Sequence, residues 1–211
     1  TNEEQQQIKE INSGAYWFQI EALLSALDSL TPNNAQGEYY LTDTVSILLS
    51  QGKKADGYKS DNPDVILGAN SRKQLLQLNE IARQKMIDLL LDEGVEIVNT
   101  EGIIISPDEK VGPDTKILPG TILKGKVQIG TGSIIGPNSW VEDSTIGDGT
   151  IFNASQVYSS KIGNGVRIGP FSQIRPNCTI KDHVKIGDFV EVKNSTLGEK
   201  TSVAHLTYVG D

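Results

Sequence analysis

This chain of 211 residues holds one cysteine, two histidines and 6% aromatic residues. A lone Cys178 excludes an intramolecular disulfide and suits a reducing compartment, where it reads as a small buried core residue. His183 and His205 are too few for a three-histidine zinc site. No apolar run approaches the roughly 20 residues of a membrane-spanning helix. The opening Thr1-Asn2-Glu3-Glu4-Gln5-Gln6-Gln7 lacks the basic and apolar regions of a secretory signal. These absences predict a cytoplasmic protein with no membrane span. Basic residues are the minority, 19 Lys and Arg against 27 Asp and Glu, for a net charge of −8. That balance opposes nucleic-acid binding, and a small anionic ligand would need a local cluster of cations.

What the chain does have is a repeat. From Ile105 an apolar residue returns at Val111, Ile117, Leu123, Ile129, Ile135, Val141, Ile146, Phe152, Tyr158, Ile162, Ile168, Ile174, Ile180, Ile186, Val192, Leu197, Val203 and Val209. The step is six residues except for five at Val141 to Ile146 and Val192 to Leu197, and four at Tyr158 to Ile162. Such a period predicts a hexapeptide β-solenoid, a triangular parallel β-helix in which three hexads make one coil. The nineteen units form about six coils, and at roughly 4.8 Å per coil the prism is on the order of 30 Å tall. Four residues after most aliphatic positions stands a small one, such as Thr115, Ser133, Ser172 or Cys178, so each short strand sends one large and one small side chain inward. Glycine often follows the aliphatic residue, as at Gly112, Gly130, Gly163 and Gly187, consistent with tight corners. Period alone leaves the handedness of the coil open.

Ahead of the solenoid the first 70 residues read as mixed α/β. Phe18, Leu23, Leu24, Leu27 and Leu30 predict a helix over about 17–30, and Leu41, Val45, Leu48 and Leu49 a second over about 38–49 capped by Gly52. Asp61-Asn62-Pro63-Asp64 reads as a turn. A long amphipathic helix over 71–93, ended by Gly94, connects the two parts.

Residues eighteen apart in unbroken sixes stand one above the other, so Arg175 and Lys193 stack on one edge, one coil apart. Two cations so placed repel each other unless an anion or water intervenes. Tyr208 puts a phenol one coil further, and His205 lies three residues before it. From spacing alone the group reads first as the ordinary charged cover of a solenoid wall, with an anion-binding and proton-transfer cluster as the other reading. His183, between Asp182 and Val184, reads as a corner residue.

Several segments together carry a resemblance that covers nearly the whole chain: Ile11-Asn12-Ser13-Gly14, the run from Asn34 to Asp43 (NAQGEYYLTD), Gly68-Ala69-Asn70-Ser71-Arg72, Ile168-Gly169-Pro170-Phe171, Ile174-Arg175-Pro176 and the run from His205 to Asp211 (HLTYVGD). In this order they resemble the bacterial bifunctional N-acetylglucosamine-1-phosphate uridyltransferases and glucosamine-1-phosphate acetyltransferases. The resemblance implies the C-terminal part of a Rossmann-like α/β nucleotidyltransferase domain over 1–72. It further implies a linker helix over 73–94 and a left-handed parallel β-helix of hexapeptide repeats over 95–211, incomplete at its C-terminus. It implies an enzyme of UDP-N-acetylglucosamine synthesis that acetylates glucosamine 1-phosphate from acetyl-CoA, then transfers uridylyl from UTP to N-acetylglucosamine 1-phosphate. It also implies Mg²⁺ for the second step and a homotrimer assembled through the β-helix.

Residue by residue, it implies that Arg175, Lys193 and Tyr208 bind the sugar phosphate and that His205 is the general base. Asn12 and Asn70 would contact the nucleotide sugar, Asn70 also as a Mg²⁺ ligand. From the residues alone, Asn12 reads as a turn residue beside Ser13-Gly14, and Asn70 as the N-cap of the helix that follows. The family's Gly-rich phosphate loop, its other Mg²⁺ ligand and its main acetyl-CoA contacts are missing, so the chain is expected to be an internal fragment inactive alone. A different sugar-phosphate nucleotidyltransferase, whose β-helix only oligomerises or regulates, is the alternative. A purely structural ice-binding solenoid would need regular threonine arrays on one face, which this chain lacks.

Overall fold

The computed structural model describes residues 10–33 and 36–210. The sequence readings at Thr1–Gln7, Asn34-Ala35 and Asp211 lie outside the described residues. The chain divides into two compact units, Thr1–Asn70 and Ser71–Asp211.

In the first unit, helix α1 (Ile20–Leu27) packs on α2 (Asp43–Ser50), and a 3-10 turn covers Pro63–Ile66. Ala26, Thr44 and Leu48 are the buried contacts. The expected α/β character does not appear: among the described residues before Asn70 there is no strand. Short extended segments without a neighbouring strand have nothing to pair with, and no sheet forms. Helix α1 starts later than its apolar spacing predicts, with Trp17 fully exposed ahead of it. Helix α2 begins after a turn at Tyr40–Asp43 and ends where Gly52 takes a left-handed φ of 74°. The Asp61–Asp64 turn is closed by the Asn62 side chain, which accepts from the Asp64 amide at 2.9 Å.

The second unit opens with α3 (Arg72–Asp92). Its N-cap is Ser71, whose hydroxyl accepts from the Gln74 amide at 3.2 Å, so the capping role considered for Asn70 belongs to its neighbour. Ile87 and Leu90 are buried, and Leu90 joins the apolar core of the solenoid. The Arg83 guanidinium donates to the Thr100 carbonyl at 3.0 Å, tying the helix to the first coil. Gly94, at φ 87°, turns the chain out of the helix.

Among the described residues from Glu96 onward, twenty strands of two or three residues form three parallel sheets of seven, seven and six strands. The first face runs from Glu96–Ile97 to Ser202–Val203, the second from Ile104–Ile105 to Tyr208–Val209, and the third from Lys110–Val111 to Thr196–Leu197. Each strand from Ile104–Ile105 to Thr196–Leu197 buries one apolar residue, aliphatic everywhere except at Phe152, and this ladder forms one continuous core against which the half-buried Ile97, Val203 and Val209 pack. Burial of each such side chain stabilises by about 1.5–3 kcal/mol.

The ladder departs from its sequence reading at one rung. Val157, fully buried, points inward and pairs with Val141 and Ile174, while Tyr158 faces out. Both steps around it, Phe152 to Val157 and Val157 to Ile162, are therefore five residues. Bulk does not decide it, since Phe152 is fully buried in the same lumen; the phenol hydroxyl would lack a hydrogen-bond partner there, whereas valine carries no polar atom.

The small inward residues form a second, polar ladder. Ser133 donates from its amide to the Thr115 hydroxyl at 3.0 Å, Thr150 to Ser133 at 3.0 Å and Val166 to Thr150 at 3.2 Å. Another corner repeats the pattern from Ser144 through Ser160 to Cys178. Buried amides that no strand satisfies thus bond to the coil before them. Cys178 is free and buried, as expected.

The glycines after the aliphatic residue do not mainly supply unusual dihedrals. Gly112, Gly130, Gly147, Gly163 and Gly187 lack positive φ values, and a Cβ at Gly112 would come within 2.8 Å of the Gly130 carbonyl carbon on the next coil. At Gly187 a Cβ would overlap the Ala204 carbonyl oxygen, which is backbone and cannot swing away. Gly187→Ala should cost on the order of 3 kcal/mol in thermal or denaturant unfolding. Gly198→Ala, with its nearest neighbour at 3.7 Å, should be close to neutral. Equal effects at both sites would refute close approach as the reason for the glycine.

Candidate substrate site on the second face

Along the second face, residues on either side of the inward aliphatic point outward in two vertical columns. The pairing of Gln173 with Glu191, Ile174 with Val192, Glu191 with Tyr208 and Val192 with Val209 fixes their order. Gln156, Gln173, Glu191 and Tyr208 stand in one column, and Tyr158, Arg175, Lys193 and Gly210 in the other. Arg175 therefore lies directly over Lys193, each amide bonding the next coil, to the Val192 and Val209 carbonyls, at 2.8 Å. The buried Ser160 hydroxyl donates to the Arg175 carbonyl at 2.9 Å and pins the backbone there.

Tyr208 belongs by its backbone to the other column, under Glu191. Its ring nevertheless crosses over: a Cβ at Gly210 would lie 2.6 Å from the Tyr208 phenol oxygen. The missing side chain at Gly210 leaves room for the phenol below Lys193. His205 sits at the corner before this strand, at the level where the two preceding coils have Pro170 and Asp188. Leu206, at φ 50°, turns that corner, and the His205 carbonyl accepts from the Thr207 hydroxyl at 2.8 Å. The imidazole is exposed and its ring bonds to none of the described residues.

One feature that the sequence did not reveal is Glu191. Its carboxylate accepts from the Arg175 guanidinium at 2.9 Å, with the two side chains 39% and 44% exposed. An ion pair this open is worth about 0–1 kcal/mol, so a phosphate dianion can displace it with a bidentate bond of its own. The arrangement presents two cations on successive coils, with an exposed imidazole at the adjoining corner.

The other sequence candidates lie elsewhere. Asn12 closes a turn, accepting from the Gly14 amide at 2.9 Å and donating to Tyr16. Asn70 is exposed. Among the described residues no group of three or more His, Cys, Asp or Glu stands together, so Asn70 offers Mg²⁺ one neutral oxygen without a carboxylate cluster around it. His183 fills a corner at φ 60°, its ring 2.6 Å from where a Cβ on Gly165 would be. A shallow hollow of about 780 Å³ lies on the third face, lined in part by Leu89, Glu93, Lys110 and Gln128, and includes none of Arg175, Lys193, His205 or Tyr208. No helix among the described residues is long and apolar enough to cross a membrane.

Comparison with known proteins places this geometry in context. Residues 110–143 and 159–194 match the bacterial transferase hexapeptide family (six repeats). Bifunctional protein GlmU of Halalkalibacterium halodurans is 43% identical over 208 residues, which are 99% of this chain and 46% of that protein. Its counterpart in Clostridium beijerinckii is 45% identical over 209 residues, again 99% of this chain and 46% of the relative. Among solved structures, the acetyltransferase domain of PglB from Neisseria gonorrhoeae is 16% identical with a TM-score of 0.49, covering 60% of this chain and 63% of that one. Identity extended along essentially the whole sequence, and not confined to the repeats, is the deciding observation: the chain belongs to the family of the bifunctional GlmU proteins, of whose length it spans about half.

Proposed function

We propose that the chain is part of a bifunctional enzyme of UDP-N-acetylglucosamine synthesis. Its second face binds glucosamine 1-phosphate for acetylation by acetyl-CoA. Residues 1–72 belong to the half that transfers uridylyl from UTP to N-acetylglucosamine 1-phosphate. What supports the reading is the register that stacks Arg175 on Lys193 and brings the Tyr208 phenol beneath them, with His205 at the adjoining corner. Arg175 and Lys193 hold the phosphate, and Tyr208 donates to it. His205 takes a proton from the ammonium group, freeing its lone pair to attack the thioester carbonyl as coenzyme A leaves. Coenzyme contacts would come largely from outside this chain.

The family resemblance extends the proposal to a left-handed coil, a homotrimer built through the solenoid and a cytoplasmic setting. Mg²⁺ would serve the uridylyl step, with Asn70 as one ligand and the others supplied from elsewhere in the protein, and Asn12 would touch the nucleotide sugar.

Arg175→Ala and Lys193→Ala in the full bifunctional protein should each lower kcat/KM for glucosamine 1-phosphate roughly 10- to 100-fold, leaving the KM for acetyl-CoA unchanged. Steady-state kinetics with each substrate varied in turn tests this. Unaltered acetyl transfer in both variants, or turnover of another sugar phosphate with no use of acetyl-CoA, would favour a nucleotidyltransferase whose solenoid only assembles subunits.

A further inference from the structure

The outward turn of Tyr158 adds a rung to the second face. Register carries the column upward without a break: Gln156 pairs with Gln173 and Val157 with Ile174 below, and Tyr158 pairs with Glu142 above. Coil by coil it reads Lys124, Glu142, Tyr158, Arg175, Lys193 and then the Tyr208 phenol over Gly210. Two cations are thus bracketed by two phenols. The Tyr158 hydroxyl lies 3.1 Å from Gln156 Oε1, to which it donates. Its titration is pushed up, first by burial and then by the Glu142 charge, so the phenol keeps its proton and remains a donor. Exchanging a neutral amide for a phosphate oxygen would give it a stronger, charge-assisted partner.

One coil past Tyr158 the sign of the face reverses. Glu142 is held in place by Lys124 at 3.2 Å and by the Trp140 indole N–H at 2.9 Å, with Lys124 Nζ 5.9 Å from the indole ring centre. These partners fix the carboxylate roughly two coil spacings, about 10 Å, above Arg175. A second phosphate attached to the first and running up the axis would approach a fixed anion.

We propose that Tyr158 and Glu142 set the phosphate specificity of this face. Tyr158 closes the seat beside Arg175, and Glu142 excludes a second phosphate, so the face takes a hexosamine monophosphate and rejects a nucleoside-diphosphate hexosamine. The proposal rests on the reading of Arg175 and Lys193 given above.

Acetyl-transfer kinetics of the full bifunctional protein test it, with the KM for glucosamine 1-phosphate and the competitive Ki of UDP-glucosamine as readouts. Tyr158→Phe should raise that KM about fivefold, the loss of one hydrogen bond, with kcat unchanged. Glu142→Gln, which keeps an acceptor for Trp140, should lower the Ki several-fold and move the KM little. The gain should persist in Lys124→Met/Glu142→Gln, where no released lysine can attract the diphosphate. An unchanged KM in Tyr158→Phe overturns the first half, and a Ki that stays put, or returns to its starting value in the double variant, overturns the second. Lys193→Ala separates the two levels: if it leaves the KM intact, the phosphate site itself is misassigned, whatever the Tyr158 and Glu142 variants do.

Discussion

Replacing His205 by alanine in the full bifunctional protein is expected to slow acetyl transfer about 10²- to 10⁴-fold, the usual contribution of a positioned general base, and to leave uridylyl transfer untouched. At neutral pH the amine of glucosamine 1-phosphate is mostly ammonium and has no lone pair for the thioester. Imidazole is the side chain suited to take that proton near neutrality. Pro170 and Asp188 hold the same level on the two preceding coils, so neither neighbouring corner offers an imidazole in its place. The side chain is exposed, so its removal should leave thermal stability nearly unchanged. Separate assays of acetyl-CoA consumption and of pyrophosphate release decide the matter. A parallel fall in both activities, or an acetyl-transfer rate that survives, would remove His205 from the mechanism.

The second large effect is a pH dependence of stability that originates at Glu109. In the corner where later coils place Ser144, Ser160 and Cys178, the first coil points a glutamate inward, 7% exposed. Neither carboxylate oxygen has a hydrogen-bond partner of ordinary geometry, although the Ser106 hydroxyl and the Val127 amide are near enough to favour the charge somewhat. Burial dominates, with help from the negative charges of Asp108 and Asp143, and pushes the carboxyl up to about 7. In the unfolded chain the same group titrates near an ordinary 4.5. Between those values the unfolded chain releases its proton first, so stability falls as pH rises from about 4.5 through about 7 and stays low above. The full difference is on the order of 3 kcal/mol.

Glu109→Gln should therefore be more stable than the native chain at pH 8 and close to it at pH 4, as judged by urea unfolding across the range. Curves that run parallel would falsify the assignment. The cost falls where α3 meets the first coil, because Glu109 lines the same hollow as Leu89 of that helix and Glu93 at its C-cap.

Much of this architecture is legible from aliphatic period alone, because a narrow lumen admits one large side chain per strand. Arg175 over Lys193 follows directly, since no short step intervenes between Ile174 and Val192. Period does not find the rung at Val157 because it cannot choose between two adjacent apolar residues, whereas the cost of burying the unpartnered Tyr158 hydroxyl can. That ambiguity hid Tyr158 from the outer face. Glu191 stayed hidden for another reason: its pairing with Arg175 crosses from one column to the other, and a vertical reading sees only one. The helices of the first unit were legible only approximately, because their apolar spacing does not say where a sheet partner is lacking.

The unequal coils carry a lesson about drift. On the second face the distance between stacked residues grows from 16 at Val141–Val157 to 17 at Val157–Ile174 and 18 at Ile174–Val192, yet every rung keeps its partner. Corners behave as punctuation that resets the reading frame, so a residue gained or lost there is absorbed before the next wall begins. Indels that would scramble an ordinary sheet can accumulate in such a protein while a ligand several storeys away meets the same groups in the same order.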